Sequence, residues 1–304
     1  MASESKPSAP PAGSRPFQRE ALILIAPLAV VIGWWIFDLS YQWRSLVEYQ
    51  FGWIVVMLAG YLIMERWPTL PAQDTAAPFG RCLAMAGFGF VFVIAGELYR
   101  IGLSRTPTSS MSLSIGCALF VSSLILALRG PATLRHFLFP LLFFFVAVPI
   151  PKILWNPIVF GLQSFVATLN VETLRLIGIP AEQNAHVIKL PNTTVGVNEA
   201  CSGIRSLQSS LMAALFVGDL MLKRAGWKVS LVVGGVVLAV VGNFGRSLFL
   251  SITAYRAGAA GLQAVHDTAG WSVLTFTAVG VVVLVQILCR LERHALLLAR
   301  DAQD

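Results

Sequence analysis

The chain has 304 residues, of which 22 are Lys or Arg and 15 are Asp or Glu, so 12% are charged and 56% hydrophobic; the mean hydropathy is +0.74. A soluble globular domain carries about 25% charged residues, so this composition excludes a soluble enzyme with a single core, a disordered chain and a disulfide-stapled secreted module. The formal net charge of +7 is scattered between apolar segments, with no basic stripe or aromatic-interleaved patch, so it argues for topology signals in a lipid bilayer and against nucleic acid as a partner.

Residues 1–20 open with a Ser, Ala and Pro-rich stretch without apolar periodicity and read as a disordered cytoplasmic tail. Residues 21–37 form a charge-flanked apolar run without a small-residue cleavage site, the pattern of an uncleaved signal anchor. Further spans are expected over residues 51–64, 82–98, 111–128 and 137–150, then over 204–222, 227–254 and 268–289. That makes an all-α polytopic membrane protein of about eight transmembrane helices. The membrane domain occupies residues 21–291, and residues 292–304 form a cytoplasmic C-terminal tail.

Residues 153–177 are apolar enough for a helix but carry Asn156, Gln163, Asn170, Glu172 and Arg175, and Pro149 and Pro151 break the helix before them. If this segment does not cross, thirteen of the 22 basic residues fall on one side in short flanks, and eight on the other. The positive-inside rule then puts both termini in the cytoplasm and makes 153–177 an interfacial or re-entrant helix on the outer side. After it, alternation in His186–Leu190 and Thr193–Val197 around Pro191 and Asn192 suggests a short outer hairpin.

Three polar clusters interrupt the apolar pattern: Val197–Ser206 (VNEACSGIRS), Gly242–Ser247 (GNFGRS) and His266–Trp271 (HDTAGW). A helix rising about 1.5 Å per residue from Lys228 carries Asn243 about 22 Å and Arg246 about 27 Å across a core of about 30 Å, near the outer leaflet. Their i, i+3 spacing puts them on one helix face. An ionisable residue there reads as functional unless it snorkels to headgroups. Cys201 lies at the outer boundary of the sixth span, among Gly196, Asn198, Glu199, Ser202 and Gly203, just before a helix N-terminus, whose positive end favours a thiolate. Cys82, Cys117 and Cys289 sit in apolar runs and read as small buried hydrophobes. No Cys/His spacing indicates a metal site, and no cofactor motif is present.

His266 precedes the eighth span, with Asp267 or Thr268 available to cap it; His186 is its rival as a base, while His136 and His294 sit beside Arg135 and Arg293 in flanks. Glu199 and Arg205 flank the thiol; Glu199 would contact a substrate or orient a base, or else only pair with Arg205.

Taken in order, ACSG with IRS around Cys201, N-x-x-R at Asn243–Arg246 and H-D-x-x-G at His266–Gly270 resemble the exosortase/archaeosortase family, and VPIP at Val148–Pro151 agrees with it. The resemblance covers about the last half of the chain. It implies a membrane-embedded cysteine protease or transpeptidase, multi-pass in the cytoplasmic (inner) membrane, with its active site facing outward. Its substrates would be exported proteins ending in a short Pro-containing motif, a transmembrane helix and a basic tail. Cys201, Arg246 and His266 would carry the family's catalytic roles as nucleophile, oxyanion stabiliser and proton shuttle. Asn198, Glu199, Ser202, Gly203, Arg205, Asn243 and Asp267 would bind substrate or support these three.

Two other readings compete. A transporter or lipid flippase would use Asn243 and Arg246 as a substrate path, but it leaves the thiol unexplained and predicts repeated halves that the sequence lacks. A rhomboid-like serine protease would use Ser202 with Gly203 instead of Cys201.

Overall fold

In a computed structural model, residues 15–73, 77–196 and 203–301 are described. The helices are α1 (Arg15–Ser45), α2 (Gly52–Arg66), α3 (Phe79–Leu103), α4 (Pro107–Arg129), α5 (Pro131–Phe143) and α6 (Lys152–Leu176). Three short strands follow: β1 (Glu182–Asn184), β2 (Val187–Lys189) and β3 (Thr194–Gly196). Helix α7 is Gly203–Met221, and a last helical run, Ala225–Asp301, is broken at Gly258 (φ 67°, ψ −165°). Its arms are α8 (residues 225–257) and α9 (residues 259–301). That backbone conformation is open essentially to glycine alone.

Among the described residues, four helical stretches are long and apolar enough to cross a membrane: Val47–Thr69, Phe79–Leu103, Pro107–Arg129 and Ala225–Ala299, the run that α8 and α9 share. The bent pair Pro131–Ala147 with Lys152–Leu176 would add a fifth. The chain is therefore an all-α multi-pass membrane protein.

Hydropathy misplaces several helix ends. Helix α1 begins at Arg15, so the expected tail boundary at residue 20 falls inside it; residues 1–14 lie outside the described residues. The expected C-terminal tail from residue 292 is likewise helical as far as Asp301. The expected span 137–150 is helical only to Phe143 and continues as a 3-10 turn, Phe144–Ala147.

The chain divides into two compact units, Met1–Ser45 with Tyr61–Leu141, and Leu46–Gly60 with Leu142–Asp304. In the first, α3 and α4 run antiparallel, and close approach depends on two glycines: a Cβ at Gly116 would lie 2.8 Å from the Gly89 carbonyl oxygen, and one at Gly96 3.1 Å from that of Ser109. Ser123 Oγ donates to the Cys82 carbonyl at 2.8 Å and Ser112 Oγ to that of Phe92 at 2.8 Å, completing the seam. Helix α1 is joined to α4 by polar contacts. Asp38, only 3% exposed, pairs with Arg100 at 3.3 Å and accepts from Ser110 at 3.2 Å, and Trp35 Nε1 donates to Ser114 Oγ at 2.8 Å. Nothing in the sequence hints that Arg100, which reads there as a topology charge, reaches a buried carboxylate.

In the second unit, β1, β2 and β3 form an antiparallel sheet in that order. Ile188 and Val195 of the sheet share a core with Val166, Val171 and Leu174 of α6, Leu250 and Ala254 of α8, and Ala269 of α9. Helices α8 and α9 fold back on each other: Gly234 meets Leu284, Leu238 meets Gly280, and Gly242 meets Val273 and Phe276. Each step forward along one is a step back along the other, centred on Gly258. Helix α7 also runs antiparallel to α8, with Ala214 against Gly235, Gly218 against Leu231, and Asp219 paired to Lys228 at 2.8 Å. At that end the buried Glu292 of α9 accepts hydrogen bonds from the backbone N–H groups of Lys223 and Arg224 at 2.7–3.2 Å. Its carboxylate caps the N-terminus of α8 from across the bundle.

Candidate active site

Arg246 is carried by α8 and is only 8% exposed. Its level in the bundle follows from packing. The antiparallel register of α7 on α8, read from Asp219 with Lys228 back through Ala214 with Gly235, brings Gly203, the first residue of α7, level with the turn of α8 that holds Phe244 to Arg246. The register of α8 on α9 brings the same turn to Gly270. A Cβ at Gly270 would lie 3.4 Å from Arg246 Nη2; the guanidinium passes directly over this residue.

There it meets His266. Arg246 Nη2 lies 3.5 Å from His266 Nε2 and donates to the His266 carbonyl oxygen at 3.4 Å. The other ring nitrogen, Nδ1, lies 3.2 Å from Asp267 Oδ1. Asp267 can only accept when ionised, so it selects the tautomer with the proton on Nδ1 and leaves the Nε2 lone pair facing Arg246. Asp267 is almost fully exposed and His266 about one-third exposed, so the pair opens to one side while Arg246 is buried. Geometry of this kind presents a base and a forked cation to one point, which is what acyl transfer requires of groups that move a proton and hold an oxyanion.

His266 does not precede a helix. It lies inside α9, two turns beyond Gly258, so neither Asp267 nor Thr268 caps a helix start. The helix-favouring run AAGLQAV, residues 259–265, carries α9 upstream of the expected boundary at 268.

Asn243 is buried on the same side of α8, but its Oδ1 accepts no hydrogen bond from a described residue. No bond joins it to Arg246 among the described residues. Arg205 is exposed in the first turn of α7. Asn198, Glu199, Cys201 and Ser202 lie outside the described residues, as does the pairing considered between Glu199 and Arg205; of Gly203 only the backbone is described. His186 occupies the turn between β1 and β2, stacked on Phe160 with ring centroids 6.0 Å apart, and His136 contacts the Arg66 carbonyl oxygen at 2.9 Å. Among the described residues no group of His, Cys, Asp and Glu could hold a metal ion.

Sequence reasoning missed one anchor. The buried Tyr49 accepts at its Oη from the Ile150 N–H at 3.1 Å. It thereby ties the Val148–Pro151 turn to the segment that leads into α2. A tyrosine in an apolar run carries no signal of such a role.

The transmembrane exosortase family model matches residues 43–283. The chain belongs to that family. The matched stretch contains all three polar clusters, and membership makes this exosortase an enzyme embedded in a membrane. No curated protein and no solved structure matches the chain.

Proposed function

We propose that this exosortase is a membrane-embedded cysteine protease or transpeptidase that cuts the C-terminal sorting signal from exported proteins through a thioester on Cys201. The observation that carries this reading is the Arg246–His266 pair, set level with the first residue of α7. Cys201 precedes that residue by two positions, a reach of about 7 Å at most. His266 takes the Cys201 thiol proton at Nε2 as the sulfur attacks the scissile carbonyl carbon, and Arg246 stabilises the negative charge that develops on the oxygen. His266 passes that proton to the departing amine as the C–N bond breaks, leaving the acyl group on sulfur. An amine or water then attacks the thioester and gives up a proton to His266, which returns it to sulfur as the C–S bond breaks and regenerates the thiol.

Asn198, Glu199, Ser202, Gly203 and Arg205 border the nucleophile in sequence, and Asn243 and Asp267 border Arg246 and His266; we assign them to substrate contact and support. The substrates are exported proteins with a short C-terminal motif, an apolar helix and a basic tail. The charge distribution supports eight crossings in the cytoplasmic (inner) membrane, both termini in the cytoplasm and the site facing outward.

Replacing Cys201 and Ser202 separately by Ala tests the nucleophile. Processing of a tagged substrate should disappear only in Cys201→Ala. Loss confined to Ser202→Ala would transfer the reaction to a serine mechanism, and absence of processing by the unaltered protein would leave Arg246 and Asn243 to a transport path.

A further inference from the structure

Among the described residues the sheet is anchored on one edge and unpaired on the other. Strand β1 is held against α6 by Gln183, whose Nε2 donates to the Ser164 carbonyl at 3.2 Å and whose Oε1 accepts from Thr168 at 2.9 Å. Among the described residues strand β3 pairs only with β2, in the register Lys189 with Thr194, Ile188 with Val195 and Val187 with Gly196. The turn between them closes with Leu190 N–H on the Thr193 carbonyl at 2.8 Å. Alternation along an antiparallel ladder then makes Ile188 and Val195 the next hydrogen-bonded pair and turns the N–H and C=O groups of Thr194 and Gly196 away from β2. Among the described residues none of these four groups has a hydrogen-bond partner.

The location of that edge gives it a use. Val195, 1% exposed, packs in one core with Leu250 and Ala254, one and two turns beyond Arg246 on α8, and with Ala269, three residues beyond His266 on α9. Asn192 Nδ2 donates to the Tyr255 carbonyl at 2.8 Å and fixes the turn to α8. Thr194 is exposed on the face opposite Val195, and Gly196 has no side chain to keep a second backbone away. An open edge with two residues' backbone groups in phase is a template for a further strand, and strand addition is a recurring way to bind an extended peptide. A peptide bond must lie in an extended, accessible backbone to be attacked.

We propose that β3 is the substrate-docking strand: the extended segment of the exported protein adds to the sheet along Thr194 and Gly196, in contact with the Arg246–His266 pair. This rests on the proteolytic reading above and supplies its binding mode. Recognition is then divided, with main-chain bonds to β3 giving affinity and side chains on alternate residues giving sequence preference.

Proline on an edge strand removes the outward N–H without touching the ladder to β2. Thr194→Pro and Gly196→Pro should each lower processing of a tagged exported protein of the proposed class by about tenfold, the equivalent of one main-chain bond, at substrate concentrations below saturation and equal membrane abundance. In Cys201→Ala protein, a photo-crosslinker stepped one residue at a time through the substrate segment should react with β3 at every second position. Normal processing by both proline variants, or crosslinks without the two-residue period, would overturn the docking strand while leaving the cysteine mechanism standing. Absence of processing by the unaltered protein would instead remove the proteolytic reading, and the docking strand with it.

Discussion

Arg246→Lys separates a catalytic guanidinium from a charge that merely anchors the helix in lipid. Arg246 makes two directed contacts from one nitrogen, 3.5 Å to the His266 ring and 3.4 Å to the His266 carbonyl, and its planar fork carries its other donors in a fixed geometry beside them. Lysine is a compact, strongly hydrated ammonium on a shorter, flexible stem and cannot hold His266 and an oxyanion together. A residue 8% exposed has little of its own surface in lipid, which argues against snorkelling. If Arg246 is the oxyanion donor, the loss should match removal of one such donor, about 10²–10³-fold in turnover or about 2.7–4 kcal/mol. The assay is the rate at which a tagged substrate loses its C-terminal segment in membranes containing equal amounts of each protein. Thermal unfolding in detergent serves as the control for folding. Processing within about threefold of the parent would refute the catalytic role, since an anchor needs only a long cationic side chain.

His266→Ala should leave an assembled protein that processes substrate poorly, while His186→Ala, which removes only a ring stacked on Phe160, should process nearly as the parent does; reversed losses at matched abundance would transfer the base to the sheet. Glu292→Ala deprives two backbone N–H groups of a charged acceptor, so it should cost about 1.5–3 kcal/mol or more of stability, read as a lower thermal midpoint in detergent with Glu292→Gln recovering part of it. Glu182→Cys and Lys189→Cys, both at exposed positions of the sheet, should react with an impermeant thiol reagent in intact cells of a Cys201→Ser strain. Labelling only after permeabilisation would turn the sheet, and the site, to the inner face.

How much is legible in the sequence depends on which physical signal each feature leaves. Hydropathy marks lipid-compatible stretches, so α3, α4 and α7 are expected within a few residues of where they lie. It does not mark helix ends, because residues such as Arg15 or Glu292 continue a helix beyond the apolar run. The hairpin tip at Gly258 is hidden for a related reason: the AGAAG run, residues 257–261, is helix-compatible on both sides, and only the positive φ of one glycine reverses the chain. Strand β1 has three exposed residues, with no alternation to betray it. Asn243 and Arg246 are legible because polar groups in an apolar helix are costly, and their burial follows from the same fact. The contact between Arg246 and His266 joins residues 20 apart in sequence and depends on the α8–α9 register, which Gly234, Gly242 and Gly280 set through close packing rather than through any chemical motif.

The covalent intermediate is the most discriminating observable. Intact-mass and peptide mass spectrometry of the purified exosortase, quenched in acid during turnover of a tagged substrate, should find the substrate's N-terminal portion attached to Cys201 and released by hydroxylamine, as a thioester requires. The adduct should be absent from Cys201→Ala and scarce in Arg246→Lys. Processing that continues in Cys201→Ala, or an acyl group carried by Ser202 or any other residue, would contradict the thiol mechanism.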